Sequence, residues 1–328
     1  MTTGLYTHPD CKRHEMGSWH PESPERLQAI EDQLIASRID RFLDYREPPP
    51  ADLSAIARVH SPNVIALIRD NTPKPRLALV GEDPGTAAAR HAGYYPLDGD
   101  TSLNAYSWQA ALRAAGAAVA ATDAVIGGEL DNAFCAVRPP GHHARPTEPM
   151  GFCLFNNVAI AARHALEVHG LKRVAIVDFD VHHGNGTEEA FVTEPRVLMV
   201  SFLQHPFYPY TGVGSSSRIY QNAVNVPVPA YSKGDVVRQL VSEQWLPALH
   251  AHRPEMIFFS AGFDAHAEDD IGQLGLVEDD YAWITRQIMT IAEQYAKGRI
   301  VSCLEGGYNL SALGRSVVAH VKALAKLD

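Results

Sequence analysis

The chain has few basic residues and no cluster of them. Its 328 residues include 28 Lys and Arg against 38 Asp and Glu, which gives a formal net charge of −10 at pH 7. A protein that holds nucleic acid by its phosphates needs a basic surface, so we expect no nucleic-acid partner. A cationic substrate suits this balance better. Acidic runs at 268–270 and 278–280 agree, although a solvated face or the first turn of a helix is the simpler explanation of each.

Cysteine is scarce, and long apolar runs are missing. The four cysteines, Cys11, Cys135, Cys153 and Cys303, include no CxxC pair, and three lie in apolar or tightly packed contexts, which predicts a reducing compartment. The N-terminal segment has no charged-then-apolar signal, and no apolar run approaches the length of a membrane span. These absences predict a cytoplasmic protein with no membrane partner.

What is present is an alternation of strand-like and helix-like segments. The strand-like runs are TGLYTH, AFCAV, RVAIVDFD, RVLMVSF, NAVNVPV, MIFFSAG and RIVSCLEGG. Stretches with apolar residues at helical spacing begin at Ser107, Asn156, Gly234 and Asp279. The alternation predicts an α/β protein with a mostly parallel sheet covered by helices. Segments 46–54 and 74–100 are loop-like but separate no self-sufficient halves, so a single domain over 1–328 is expected.

Polar residues follow five of these runs, and ligands of open α/β sheets bind at the carboxyl ends of the strands. On an extended backbone Asp178, Asp180 and His182 of VDFDVHH share one face. Asp264 follows MIFFSAG. We hypothesise that Asp180, His182 and Asp264 bind zinc, with Asp178 behind a histidine or beside a monovalent ion. The alternative is a set of ion-paired carboxylates around a hydrogen-bonded histidine.

Two further motifs supply candidate acid–base groups. RPPGHHA places His142 and His143 after a strand, where such a pair can provide a general base and a second cationic group. Asp178 and Asn185 of the zinc loop are available to orient them. Tyr308 of LEGGYNL follows two glycines and can donate to a carbonyl oxygen that gains negative charge. Taken singly, a His-His pair is more often a surface feature and this tyrosine an ordinary turn residue.

Five motifs in order, RPPGHHA, GFCLFNNVAIAA, VDFDVHHGNGT, SAGFDAH and LEGGYN, resemble the zinc-dependent histone deacetylases, in particular the class II-type branch with its bacterial amidohydrolases. The resemblance extends from HPESPERL at 20–27 to LEGGYNL at 304–310. It implies the arginase/deacetylase fold, an open, mostly parallel eight-stranded sheet with helices on both faces. The implied reaction is hydrolysis of an N-acyl lysine, in a protein or peptide, or of a related small acylated amine.

The resemblance also implies roles for individual residues. One zinc ion per chain falls on the three ligands proposed above, and His143 falls on the general base and acid. His142 falls on the electrostatic partner, Tyr308 on the carbonyl-polarising tyrosine, and Asp178 and Asn185 on the orienting partners of the histidines. Family members also bind potassium, and the corresponding positions are Asp178, Asp180, His182, Ser201 and Phe202.

Substrate contacts follow from the resemblance as well. Gly151, Phe152 and Tyr208 fall on the walls of the acyl-lysine tunnel, where Tyr208 departs from the usual phenylalanine. Asp100 falls where relatives hold the substrate backbone, although a turn cap explains it equally well. Ile271 stands where a polyamine-selective branch has a gatekeeper glutamate. Acyl-lysine is therefore favoured over acetylpolyamine, which stays the alternative.

Two other function classes are less favoured. The dinuclear arginase-like hydrolases need extra carboxylates where this chain has Gly184 and His266, so a second metal beside the first lacks ligands. A catalytically silent acyl-lysine reader has no need of both histidines and the tyrosine. The sequence leaves open whether the protein is a monomer or a homo-oligomer.

Overall fold

A parallel eight-stranded sheet organises the protein. The computed structural model describes residues 1–75, 93–214 and 222–327, so residues 76–92 of the expected loop at 74–100 lie outside the described residues. The strands are β1 (Thr3–Tyr6), β2 (Leu43–Arg46), β3 (Tyr95–Pro96), β4 (Ser102–Leu103), β5 (Asn132–Cys135), β6 (Val174–Asp178), β7 (Val197–Gln204), β8 (Ala223–Val228), β9 (Met256–Ala261) and β10 (Ile300–Leu304). The main sheet has the order β2-β1-β5-β10-β9-β6-β7-β8, and all its pairs are parallel. The expected parallel sheet is confirmed, while β3 and β4 form a separate antiparallel pair.

Strand β2 is the one member of the main sheet without a recognisable sequence signal. Its residues, LDYR, are half-buried or exposed, since the strand lies at the sheet edge. Among the described residues it pairs only with β1, in the register Thr3↔Leu43 to Tyr6↔Arg46. An edge strand with partly exposed residues needs no apolar run or regular alternation, and β2 has neither. The central strands β6, β7, β9 and β10 are buried throughout. Burial on both faces explains why their apolar runs are continuous.

Helices cover both faces of the sheet. They are α1 (Glu25–Ala36), α2 (Leu53–Ile56), α3 (Pro62–Asn71), α4 (Ser107–Gly127), α5 (Asn157–Glu167), α6 (Asn185–Ala190), α7 (Gly234–Leu240), α8 (Leu246–His252), α9 (Glu278–Tyr295) and α10 (Leu310–Ala325). On one face α4 packs on α5, and on the other α10 packs between α1 and α9. A π-helical turn, Val241–Trp245, joins α7 to α8. The start of α9 at Glu278 confirms that the acidic run at 278–280 is the first turn of a helix.

Helix α4 corrects one expectation from the sequence. Within the described residues it is the one helix long and apolar enough to cross a membrane, although no such run was expected. Its most apolar stretch is 67% buried inside the protein. Small alanine side chains on most sides of α4 allow α5, β5 and β10 to approach it closely. The helix is therefore accommodated as a core element of this fold.

Candidate active site and metal centre

The three proposed zinc ligands meet at the carboxyl ends of β6 and β9. The ligand atoms of Asp180, His182 and Asp264 all lie within 4.8 Å of one another, and all three residues are buried. His182 Nδ1 is 2.9 Å from Asp180 Oδ1 and 3.1 Å from Asp264 Oδ2. Burial alone lowers the pKa of His182, but its hydrogen bonds to the two carboxylates raise it to about 10. The two carboxylates therefore create a negative potential at the His182 ring.

The donor set fits a divalent metal ion. Two carboxylates and one imidazole are ligands that zinc accepts, and they leave coordination positions open. The remaining carboxylate oxygens are fixed by backbone donors: Gly306 N–H donates to Asp180 Oδ2 (2.9 Å) and Val181 N–H to Asp264 Oδ1 (2.9 Å). A Cβ on Gly306 would collide with both carboxylates, so glycine is needed for this approach. Burial and the neighbouring Asp180 raise the pKa of Asp264 to about 7, because two carboxylates in one buried pocket repel each other.

The structure corrects one premise of this site. Strand β6 ends at Asp178, so Asp180 and His182 lie in a loop and not on an extended strand. Their convergence comes from a tight turn, in which the His182 N–H donates to Asp180 Oδ1 at 2.9 Å. His183 does point elsewhere, as the sequence suggested, and contacts Thr211 Oγ1 at 2.7 Å.

The paired histidines lie beside this centre with different partners. His142 Nδ1 donates to Asp178 Oδ2 at 3.0 Å, and its Nε2 is 3.7 Å from Asp180 Oδ2. His143 Nδ1 is 2.8 Å from Asn185 Oδ1. Burial opposes protonation of His142, but the charges of Asp180 and Asp178 raise its pKa well above the usual value. Burial and the neighbouring His142 lower the pKa of His143. One imidazole is therefore held charged and the other neutral.

Glu305 is a site residue that sequence reasoning missed. Its Oε2 accepts from the backbone N–H groups of Gly141 (2.6 Å) and His142 (3.0 Å), and its Oε1 accepts from the Ser260 hydroxyl (3.3 Å). The carboxylate is fully buried, and burial raises its pKa to about 7. Glu305 thus fixes the backbone that carries the histidine pair. A glutamate directly after the buried strand β10 was the available signal.

A second missed group is the ion-pair network of Glu22, Arg26 and Arg138. Arg138 Nη2 donates to Glu22 Oε2 at 2.6 Å, and Arg26 Nη1 donates to Glu22 Oε1 at 3.1 Å. Arg26 Nε also donates to Gly307 O at 2.7 Å. All three charged side chains are fully buried. They connect the N-terminal HPESPERL motif to the loop that bears Tyr308.

Tyr308 is packed on two sides. The Arg26 guanidinium carbon lies 4.9 Å from the ring centroid, and Phe152 meets the ring edge-on at 5.9 Å. Burial raises the pKa of Tyr308 well above its ordinary value, and the carboxylates of Asp264 and Asp180 add to this although Arg26 opposes it. The phenol therefore stays protonated and available as a hydrogen-bond donor.

Two of the predicted tunnel residues, Gly151 and Tyr208, lie against His143. A Cβ on Gly151, whose φ is +56°, would lie 2.6 Å from His143 Cδ2 and 3.0 Å from the Tyr208 hydroxyl. The Tyr208 ring is 5.3 Å from the His143 ring, edge-on. Phe152, next along the chain, packs on Tyr308 as described above. Phe207 was not assigned a role from sequence, yet its ring stacks on His182 at 5.3 Å.

Asp100 and Ile271 are less directly connected to the site. The Asp100 backbone carbonyl accepts from His20 Nε2 at 3.0 Å, and the turn cap at this loop is Asp98, which accepts from the N–H groups of Asp100 and Thr101. Ile271 is half-buried, and its N–H donates to Asp269 Oδ1 at 3.0 Å. Their roles in substrate binding stay predictions.

The potassium positions are close in space but already have protein partners. Ser201 pairs with Asp178 in the register of β6 and β7, and its hydroxyl donates to Asn225 Oδ1 at 2.8 Å. The Ser201 carbonyl accepts from Trp245 Nε1 at 3.3 Å, and the Phe202 ring stacks on that indole at 5.7 Å. Potassium binding stays a prediction.

Comparisons with known proteins agree with this geometry. The family model described as histone deacetylase domain matches residues 20–324. The chain is 34% identical to a probable deacetylase of Archaeoglobus fulgidus, over 100% of this chain and 88% of that protein. It is 35% identical to the histone deacetylase-like amidohydrolase of Pseudomonas aeruginosa, over 88% of this chain and 73% of that protein.

Similarity extends to a larger relative and to a solved structure. Type-2 histone deacetylase 2 of Dictyostelium discoideum is 36% identical over 98% of this chain, which spans only 21% of that protein. The crystal structure of the HDA15 HD domain superposes with a TM-score of 0.88 at 31% identity. That match covers 99% of this chain and 88% of the other, and confirms the eight-stranded arginase/deacetylase architecture.

Proposed function

The chain belongs to the histone deacetylase family, and we propose that it is a zinc-dependent amidohydrolase that removes an acetyl-type group from the side-chain amine of lysine in a protein or peptide. The observation that carries the proposal is the arrangement of two differently partnered histidines beside a buried Asp-His-Asp triad. A metal position, a neutral base and a second charged group together supply the chemistry of metal-assisted amide hydrolysis. We propose that residues 1–328 form one catalytic domain.

The metal would be held by Asp180, His182 and Asp264. When bound, zinc supplies Lewis acidity that polarises the acyl carbonyl and makes water more acidic. The burial of all three ligands keeps the dielectric low, which strengthens these effects.

The two histidines have different roles in the reaction: His143 transfers the proton, and His142 stays charged. Asn185 Oδ1 holds the Nδ1–H of His143, so His143 Nε2 is left as an acceptor. We propose that this nitrogen takes a proton from water as the water oxygen attacks the acyl carbon. His143 then returns the proton to the amine nitrogen as the C–N bond breaks, which yields the free amine and a carboxylic acid that loses its proton to solvent. His142 stays charged beside Asp178 and lowers the energy of the developing negative charge.

Tyr308 completes the site on the side of the carbonyl oxygen. Its phenol remains protonated and can donate to the oxygen that becomes negative during attack. Gly151, Phe152 and Tyr208 supply a narrow, largely apolar approach suited to the alkyl stem of lysine. Burial and the negative charges of Asp100 and Asp98 raise the pKa of Tyr208. These two carboxylates would attract a cationic group near the entrance of the substrate tunnel. This observation supports acetylpolyamine as the second candidate substrate.

A substrate panel tests the proposal. Zinc-loaded protein is assayed on acyl-lysine peptides of several acyl lengths, and on acetylspermidine and acetylputrescine, with His143→Ala as a matched control. We expect the highest kcat/KM on an acetyl-lysine peptide and a loss of at least about a hundredfold in His143→Ala. A higher kcat/KM on every acetylpolyamine would favour the second candidate. Binding of peptides without any hydrolysis would show that the protein is a reader.

A further inference from the structure

A second cluster of metal-binding side chains lies far from the catalytic centre. We propose that Asp123, His164 and His169 form a surface site for a divalent transition-metal ion. The three residues offer ligand atoms that all lie within 4.8 Å of one another. None of them contributes to the reaction described above, so we expect a metal ion bound there to raise the stability of the fold and to leave turnover unchanged.

The ligand atoms of the cluster point toward one common position. Nε2 of His164 and Nε2 of His169 each lie 2.6 Å from the same oxygen, Asp123 Oδ1. The two imidazole rings are 5.2 Å apart and nearly perpendicular, so they aim at a common point and do not stack. No hydrogen bond between described residues involves Asp123 Oδ2. A cation at the point of convergence would replace the two shared protons and gain access to both carboxylate oxygens.

The cluster is open to ions from solution. The Asp123 side chain is 50% exposed, while those of His164 and His169 are 11% and 24% exposed. Partly buried imidazoles are restricted to few rotamers, which lowers the entropy lost when a metal binds. Two imidazoles and one carboxylate favour zinc, nickel or copper over magnesium or calcium, which prefer all-oxygen sites.

The position of the cluster indicates what binding would do. Asp123 lies near the end of α4, which leads into β5, and His164 lies in α5, which leads into β6. The site is therefore at the amino edge of the parallel sheet, opposite the carboxyl ends that carry the catalytic residues. An ion there would link α4 to the segment that ends α5.

One neighbouring residue, Arg58, opposes metal binding to His164, and its substitution therefore provides a further test. Arg58 Nη1 lies 3.4 Å from His164 Nδ1, and as a donor it favours the tautomer that keeps the proton on Nε2. A metal on Nε2 requires that proton on Nδ1 instead. Arg58 is 24% exposed and also pairs with Glu167 at 3.5 Å, so it can turn toward that carboxylate. Removal of Arg58 should therefore strengthen metal binding.

The experiment uses enzyme whose catalytic centre is already filled with zinc, so that added Zn²⁺ reports on the second site alone. Calorimetric titration should show one further zinc per chain and a rise in Tm. In Asp123→Ala and His169→Ala the affinity for this second zinc should fall at least about tenfold, whereas Arg58→Ala should raise it. His250→Ala, which removes an exposed histidine elsewhere, is the matched control and should behave as wild type. The catalytic zinc and kcat should be unchanged in all four variants.

Two results would overturn the proposal. One is the absence of any second zinc in wild-type protein at concentrations up to the millimolar range. The other is equal affinity in wild type, Asp123→Ala and His169→Ala, which would assign the binding to other surface groups.

Discussion

The carboxylate of Asp269 accepts a 2.6 Å hydrogen bond from the backbone N–H of Tyr308. The same oxygen accepts from the N–H of Asn309 at 3.0 Å, and the other oxygen accepts from the N–H of Ile271 at 3.0 Å. Asp269 is only 5% exposed, so the expectation of a solvated acidic face at 268–270 is wrong for this residue. One buried carboxylate thus joins the loop after β9, which carries Asp264, to the loop that carries Tyr308.

Asp269→Asn should lower kcat by about tenfold to a hundredfold, the scale of a small misplacement of a reacting group. An amide has one acceptor oxygen, so it cannot accept the N–H groups on both sides, and the Tyr308 loop should shift. Zinc content should not change. Asp270→Asn is the matched control because Asp270 is exposed, and it should keep wild-type kcat. Equal kcat in the two variants would show that Asp269 does not position the tyrosine.

Tyr308→Phe should lower turnover by at least about a hundredfold while zinc content stays the same. The ring would keep its contacts with Phe152 and Arg26, so only the hydrogen bond to the carbonyl oxygen is lost. Metal analysis and steady-state kinetics on one preparation make the comparison. Near-normal turnover would mean that the metal alone polarises the carbonyl, or that the chemistry is not acyl transfer.

Asp264→Ala should lose both zinc and activity. The substitution removes a ligand and leaves His182 without one of its two carboxylate partners. After mild dialysis, wild-type protein should retain one zinc per chain because only the Asp180 centre is fully buried. Asp279→Ala, at an exposed position in α9, serves as control. Two tightly held ions in wild type, or full activity without metal, would contradict the assignment.

Ile271→Glu should shift the ratio of kcat/KM toward acetylated polyamines. A carboxylate at this half-buried position, seven residues before α9 begins at Glu278, would attract a distal ammonium group. The measurement is competition between an acetyl-lysine peptide and acetylspermidine for the wild type and the variant. An unchanged ratio would place Ile271 outside the substrate path, and a wild-type preference for polyamine would turn attention to the exposed Glu268 and Asp270.

The free energy of unfolding should decrease as the pH is lowered below about 6.5, partly because of His320. Burial lowers the pKa of His320 to about 3, while the unfolded chain has the ordinary value near 6.5. The unfolded state therefore binds more protons between these values, and the free energy of unfolding falls by about 1.4 kcal/mol per pH unit as the pH drops. His320→Gln should reduce the proton uptake on unfolding at pH 5 by about one. Denaturant unfolding of both proteins across pH 5 to 6 measures this, with His250→Gln as control; equal slopes would refute it.

The site residues that belong to short motifs could be recognised from the sequence. His142 and His143 are adjacent in the sequence, and residues 179–184 form the loop that directly follows the buried, continuously apolar strand β6. Parallel strands bring their carboxyl ends to one edge of the sheet, so the meeting of Asp264 with Asp180 follows from the pattern of strands. The resemblance to histone deacetylases rested on the same short motifs. It implied a sheet of eight strands, one more than the seven strand-like runs of the sequence.

Only the tertiary structure decided the residues that act across long sequence separations. Arg26 donates to the carbonyl of Gly307, 281 positions away, and Glu305 supports the backbone of Gly141. A buried carboxylate or guanidinium looks like any surface charge in a sequence, because its partners come from distant segments that only folding brings together. The same holds for Asp269, whose role depends on a loop from the next strand, and for β2, whose half-exposed residues form a strand because β1 offers them a free edge.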